Sequence, residues 1–156
     1  MQQQTDLSAI PLFADLPKEE LAQLNALAHP VNYQRGNILF REGEDPTSPR
    51  LAQAAPGTPF GVFVVTSGEF ELRQNAPDGS EQSLARFGPG GVFGLTSVLD
   101  EGPRRGSAYA LTDGSCLVLS RITFYQALMD NPAIAISIMK SMAKHVRELS
   151  ALLAHS

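Results

Sequence analysis

The sequence predicts a mainly β fold with flanking helices, of the sandwich, barrel or roll kind, and three observations carry that expectation. Short runs of β-branched and aromatic residues recur at close spacing from about residue 31 to about residue 121. Glycines and prolines punctuate those runs, and helical periodicity appears only before and after them. No strand–helix–strand alternation is visible, which argues against a doubly wound α/β sheet. A chain of 156 residues is long enough for one domain with a proper core and tight for two. A single domain over residues 1–156 is therefore expected.

In chain order, residues 17–28 open with Pro17, place Glu19 and Glu20 in the first turn and repeat Leu21, Leu24 and Leu27. That is a short amphipathic helix, ended by the proline of His29-Pro30. Strands are expected at Val31–Gln34, Asn37–Glu42, Gly61–Gly68, Glu69–Gln74, Ser83–Phe87, Ser107–Leu111 and Ser115–Ser120. Ser67-Gly68, Asp78-Gly79 and the run Gly88 to Gly91 read as hairpin corners. Phe60, Phe63, Phe70, Phe87 and Phe93 are the expected core aromatics. Residues 44–60 hold four prolines and read as a long surface loop, either a lid or partner-binding loop or a tolerated insertion.

From residue 122 the pattern is helical again, with a stop before Pro132 and then no breaker to the end, so helices are expected over about 122–154. Met139, Met142, Val146, Leu149 and Leu153 follow one another at spacings of three and four, an a/d seam suited to a two-fold dimer. The other reading of that stripe is a helix packed on its own sheet. Lys140, Lys144, His145 and Arg147 fall on the same helix and read as its solvated face.

Bulk properties narrow the function. A net charge of −4 and an isoelectric point near 5.3 make a poor start for nucleic-acid binding, which draws on cations to neutralise phosphates. No apolar run approaches the roughly 18–20 residues of a membrane-spanning helix. The N-terminus lacks the basic start and apolar stretch of a secretory signal, and the lone Cys116 fits a reducing compartment. The expected location is the cytoplasm, with no membrane partner. His29, His145 and His155 are far apart and Asp100-Glu101 reads as a solvated turn, so neither a metal site nor a catalytic cluster is expected. Gly88-Pro89-Gly90-Gly91 lacks the spacing and the βαβ context of a dinucleotide fingerprint. The chain is read as no enzyme and without a cofactor.

Several segments, in order, resemble the cyclic nucleotide-binding domain family. Residues 11–16, PLFADL, look like the lead-in to its first helix, and Gly36 to Gly43 like its hairpin with glycines seven apart. Val65 to Leu72 is similar to its strand and turn, and Gly91-Val92-Phe93-Gly94 to the start of its phosphate-binding cassette. Pro103-Arg104 lies at the cassette's far end, Leu119 to Phe124 looks like the last strand entering a helix, and Asn131-Pro132 precedes the long helix. The resemblance spans residues 10 to about 153 and implies a double-stranded β-helix, a jelly-roll-like β-roll, with a short N-terminal helix, a short cassette helix and a long C-terminal helix.

It also implies a site. A cyclic phosphate needs donors at close range and shelter from water; glycine lets the backbone approach, a helix N-terminus adds its dipole, and an arginine neutralises the charge. The segment after Gly94 can supply the helix. Arg104 takes the phosphate position when counted back from Ala110 and Thr112, and Arg105 takes it when counted forward from Gly94 under a longer cassette; the Pro103-Arg104 pairing favours Arg104. Ser107 starts the next strand, and Gly106 can widen the pocket or loosen it. The family's ribose-binding glutamate is replaced by Leu95, a loss of about 1.5–3 kcal/mol for a hydrogen bond to a charged group. Thr96 offers a hydroxyl next to it, and on the long helix Ser150 can keep a contact to the purine where Leu149 fits the seam.

The function implied is a regulatory module that senses cyclic AMP, cyclic GMP or a related anionic ligand and signals through its C-terminal helix. The alternatives are a degenerate domain that serves dimerisation or protein interaction, and a non-nucleotide sensor with Leu95 in an apolar wall. Because the sequence stops at Ser156, no DNA-binding part is expected in it; either regulation passes through an effector protein or the chain is excised from a larger one.

Overall fold

The computed structural model describes residues 7, 10, 13, 16–44, 61–100 and 102–154, the side chain of His145 excepted. Residues 45–60 of the loop expected over 44–60, Phe60 among them, and Glu101, His155 and most of the lead-in motif lie outside the described residues, although Phe13 and Leu16 of that motif are buried.

The first helix, α1 (Lys18–Leu27), follows Pro17, whose fixed φ suits the approach to a helix, and buries Leu21 and Leu24. Ala28 is extended and donates its N–H to the Leu24 carbonyl. β1 (His29–Tyr33) begins two residues before the expected start. Pro30 fits inside it because β1 lies at a sheet edge, where a missing donor costs little. There follow β2 (Ile38–Phe40), β3 (Gly61–Ser67), β4 (Phe70–Asn75), β5 (Glu81–Phe87), β6 (Val92–Phe93), α2 (Leu95–Asp100), β7 (Ser107–Ala110), β8 (Gly114–Ser120), α3 (Arg121–Asp130) and α4 (Pro132–Ala154).

The strands form two four-stranded antiparallel sheets, in the orders β1-β8-β3-β6 and β2-β7-β4-β5. This arrangement corrects the reading of the corners. Only Asp78-Gly79 closes a hairpin, between β4 and β5, where Asp78 accepts from the N–H and hydroxyl of Ser80. At Ser67-Gly68 and at Gly88 to Gly91 the chain crosses from one sheet to the other. The same holds at Gly36, between β1 and β2, so the segment from Gly36 is a corner and β2 pairs with β7 rather than with its neighbour in sequence.

Alternation along β3 and β8 separates two cores. Val62, Val64, Leu117 and Leu119 face outward, into a core shared with Leu21 and Leu24 of α1, Val98 of α2, Phe124 and Ala127 of α3, and Ile134 and Ile138 of α4. Phe63, Val65, Cys116 and Val118 face inward, between the sheets, with Phe40, Phe70, Phe93 and the partly buried Tyr33 and Phe87. Phe63 and Phe93 stack with centroids 5.1 Å apart, and Phe40 lies 5.6 Å from Phe63. The first sheet is thus buried on both faces, which is why β3 reads as a continuous apolar run.

At the C-terminus, Ser120 caps α3 by accepting from the Thr123 N–H at 3.2 Å. Only the start of α4 is docked, through Ile134 and Ile138, and every described side chain from Met139 onward is exposed. The stripe of Met139, Met142, Val146, Leu149 and Leu153 is therefore not packed on its own sheet.

Phe63→Ala removes the ring at the centre of the inner core. Urea denaturation should show a loss of about 3–5 kcal/mol, the range for a buried phenylalanine whose site cannot collapse.

Candidate functional site

Arg104 is 3% exposed, and its guanidinium lies between the first residue of β3, the start of α2 and the Phe40 ring. One terminal nitrogen, Nη1, donates to the Gly94 carbonyl at 3.0 Å and to Ser97 Oγ at 2.8 Å. The other, Nη2, donates to the Gly61 carbonyl at 3.0 Å. The guanidinium carbon sits 4.2 Å from the centroid of the Phe40 ring. The backbone of Arg104 is fixed as well: its N–H donates to the Glu44 carbonyl and its carbonyl accepts from the Gly43 N–H. A single residue thereby ties the turn after β2, the first residue of β3 and the start of α2 together.

Burial pulls the Arg104 guanidinium down to about 10, with the nearby Glu44 charge acting in the opposite direction. It remains protonated at neutral pH. The site therefore holds a desolvated cation that donates to the Gly61 and Gly94 carbonyls and to Ser97.

Gly94, just before α2, has φ of +86°, and a Cβ there would stand 3.0 Å from both Arg104 Nη1 and the Gly61 carbonyl oxygen. Only glycine fits this approach. Gly106 is not a widening of the pocket: a Cβ there would lie 2.6 Å from the Arg73 carbonyl oxygen, so its absence lets the start of β7 close on β4. Ser107 is buried beside it, and its hydroxyl accepts from the Glu42 N–H at 2.9 Å. Arg105 is exposed, and its carbonyl accepts from Gln74 Nε2.

The remaining expected residues divide. Phe93 is buried inside the roll. Leu95 packs instead on the outer core, among the helices, and Thr96 is exposed. Ser150 lies on the exposed part of α4 with Leu149. Ser97 was missed. It stands three residues after Gly94, one position beyond the hydroxyl of Thr96, and helical spacing from Gly94 turns it inward toward Arg104. The Gly61 carbonyl was not legible at all, because it reaches Arg104 from 43 residues away.

Other arginines nearby are engaged on the outer face of the second sheet. Glu71, 4% exposed, accepts from the Nε of Arg73 and, at 3.0 Å, from the Nε of Arg86. Arg73 also lies over the Tyr109 ring, whose hydroxyl donates to Glu81. Elsewhere, burial raises the Cys116 thiol to about 12, far from a thiolate. Among the described residues no three His, Cys, Asp or Glu side chains gather as a metal site would require.

The comparisons with known proteins agree with this geometry. Residues 53–131 match the family model described as the cyclic nucleotide-binding domain. The chain belongs to the cyclic nucleotide-binding domain family. Among individual relatives, a CRP-like cAMP-activated global transcriptional regulator of Mycobacterium tuberculosis is 28% identical over 141 residues, 90% of this chain and 57% of that protein. The crystal structure of the Thermus thermophilus catabolite activator protein superimposes with a TM-score of 0.77 at 29% identity, covering 92% of this chain and 62% of that one. The N-terminal domain of a transcriptional regulator from Streptomyces coelicolor gives a TM-score of 0.68 at 32% identity and covers 92% and 93% of the two chains. The chain spans a little over half the length of the curated relatives it matches first. The matched residues include the segment from Gly91 to Ser107, in which Arg104 is buried.

Hydrogen bonds from Arg73, Ser83 and Arg86 hold the Glu71 carboxyl down at about 2, those from Arg73 being the largest contribution. A depressed carboxylate stabilises the fold above its unfolded value, near 4.5, and that stability is lost as pH falls from there toward 2. Denaturation midpoints measured between pH 6 and pH 2.5 should therefore fall more steeply for the wild type than for Glu71→Gln.

Proposed function

We propose that this chain is a regulatory sensing unit that binds a small anionic ligand of the cyclic nucleotide class against Arg104 and passes its occupancy on to α4. The observation that carries the reading is the buried Arg104 guanidinium, held between Gly94, Ser97 and Gly61 and stacked on Phe40. A cation already stripped of water gives a phosphate a strong, bidentate partner without a further desolvation cost on the protein side. Gly94 and Ser97 accept from Arg104 directly, and Phe93 and Ser107, close to them in sequence, are buried. The family and the cAMP-activated relative support cyclic AMP as the first ligand to try.

Two features lower the expected affinity. Leu95 occupies the position of the family's ribose acceptor and packs into the outer core. Arg104 must also exchange protein oxygens for the phosphate. Micromolar rather than nanomolar binding follows. The same two features favour the second reading, a member of the family that takes no nucleotide and serves dimerisation or protein interaction.

In this reading the unit performs no catalysis, works in the cytoplasm and acts through an effector protein. It pairs with a second copy along α4, where Met139, Met142, Val146, Leu149 and Leu153 are 49–76% exposed and spaced as a seam. Ser150, beside that seam, is the residue proposed to reach the base. Lys140, Lys144 and Arg147 are exposed and remain the solvated face. No helix among the described residues is long and apolar enough to cross a membrane.

Calorimetric titration with cyclic AMP and cyclic GMP tests the ligand. Saturable binding lost in Arg104→Ala and in the milder Arg104→Lys, but kept in Arg105→Ala, supports the reading, provided all three unfold cooperatively. No heat from either nucleotide at millimolar concentration removes it in favour of the second reading. For the seam, sedimentation equilibrium should show a dimer that Val146→Glu or Leu149→Glu converts to monomer. A monomeric wild type, or variants that still dimerise, would overturn the proposed pairing.

A further inference from the structure

We infer that the hydroxyl of Tyr125 is the positioning group through which the cassette helix communicates with α3 and α4. The inference rests on the sensor reading and adds the route by which occupancy leaves the site.

α2 is a helix of six residues, too short to satisfy its own backbone. It is held from opposite ends by two side chains from different parts of the molecule. At its start, Arg104 donates to the Gly94 carbonyl and to Ser97. At its end, the Tyr125 hydroxyl is shared between the carbonyls of Val98, at 2.8 Å, and Leu99, at 3.1 Å. These are among the last carbonyls of α2, which have no partner within so short a helix. Tyr125 projects from the middle of α3, and α3 runs into α4 through Asn131, whose N–H donates to Ala127 and whose carbonyl accepts from Ile134.

The apolar contacts between these elements, Val98 with Phe124, Ala127, Ile134 and Ile138, belong to one continuous core. Packing of that kind tolerates small sliding at little cost. A hydrogen bond does not, since its energy falls steeply with distance and angle. The Tyr125 hydroxyl is thus the link that fixes the end of α2 to α3. When an anion draws the Arg104 guanidinium from Gly94 and Ser97, α2 is freed at one end only, and its motion is delivered to α3 and from there to the base of α4. A tie that favours one arrangement of α2 is what lets a ligand bias the position of α4.

Hydrogen–deuterium exchange on the full chain tests this, after thermal unfolding has shown that Tyr125→Phe, which keeps the ring, is folded. Residues 95–100 and 132–144 are followed with and without saturating cyclic AMP. The expected result is that both proteins bind and both respond over 95–100, while the response over 132–144 falls at least about threefold in Tyr125→Phe, the size of a modest coupling. A purely structural role would not separate the two regions. Equal responses over 132–144 overturn the inference and leave the sensor reading standing. If cyclic AMP alters neither protein, the sensor reading fails for that ligand, and the inference is decided without it. Ser97→Ala, which removes one anchor of Arg104, should then change exchange over 121–130 with Tyr125 present and not in Tyr125→Phe; an equal change in both backgrounds overturns it.

Discussion

A desolvated guanidinium is expensive to keep inside a protein, and the architecture around Arg104 is arranged so that it can be kept. Among the described residues, the Gly61 carbonyl at the start of β3, the Gly94 carbonyl and Ser97 hydroxyl at the start of α2, and the Phe40 ring of β2 receive it from three separate parts of the chain. Its backbone adds Gly43 and Glu44. Remove the cation and these segments lose the centre on which they converge. The glycine at 94 follows from the same constraint, because any side chain there would displace either the guanidinium or the Gly61 carbonyl.

The second organising feature is that the first sheet is buried on both faces. Its inner side, with the stacked Phe63 and Phe93, faces the other sheet; its outer side, with Val62 and Val64, faces the helices. Alternate residues of a single strand therefore belong to the core between the sheets and to the core under the helices. α2 stands where the two meet, with Ser97 turned to Arg104 and Val98 turned to the helices. A displacement of this one short helix would therefore be felt in both cores.

Much of this was legible in the sequence because it is local. Helix boundaries followed from Pro17 and Pro132, and the inner aromatics from short β-branched and aromatic runs punctuated by glycine. The exposed stripe on α4 followed from spacings of three and four. What was not legible is long-range. Glycine corners announce that the chain turns but not whether the next strand pairs with the last, so Ser67-Gly68 was read as a hairpin when it is a crossing between sheets. The burial of Arg104 depends on Gly61, and the place of Leu95 on the helices that cover it. Tyr125 gave no sign in the sequence beyond an aromatic at a helical position.

The strand order has a consequence for how the molecule comes into being. Among the described residues, β4 and β5 are the one pair of strands adjacent in both sequence and sheet; β1 waits for β8, and β2 waits for β7. Such pairings close long loops before they return any contact energy, so they form late and slowly. A chain emerging from a ribosome can make the β4–β5 hairpin early, but its roll stays open until residue 120 is available to seal the first sheet. Until then the phenylalanines that later stack inside are open to water and to other chains, and the interval before closure is when this protein is most exposed to aggregation.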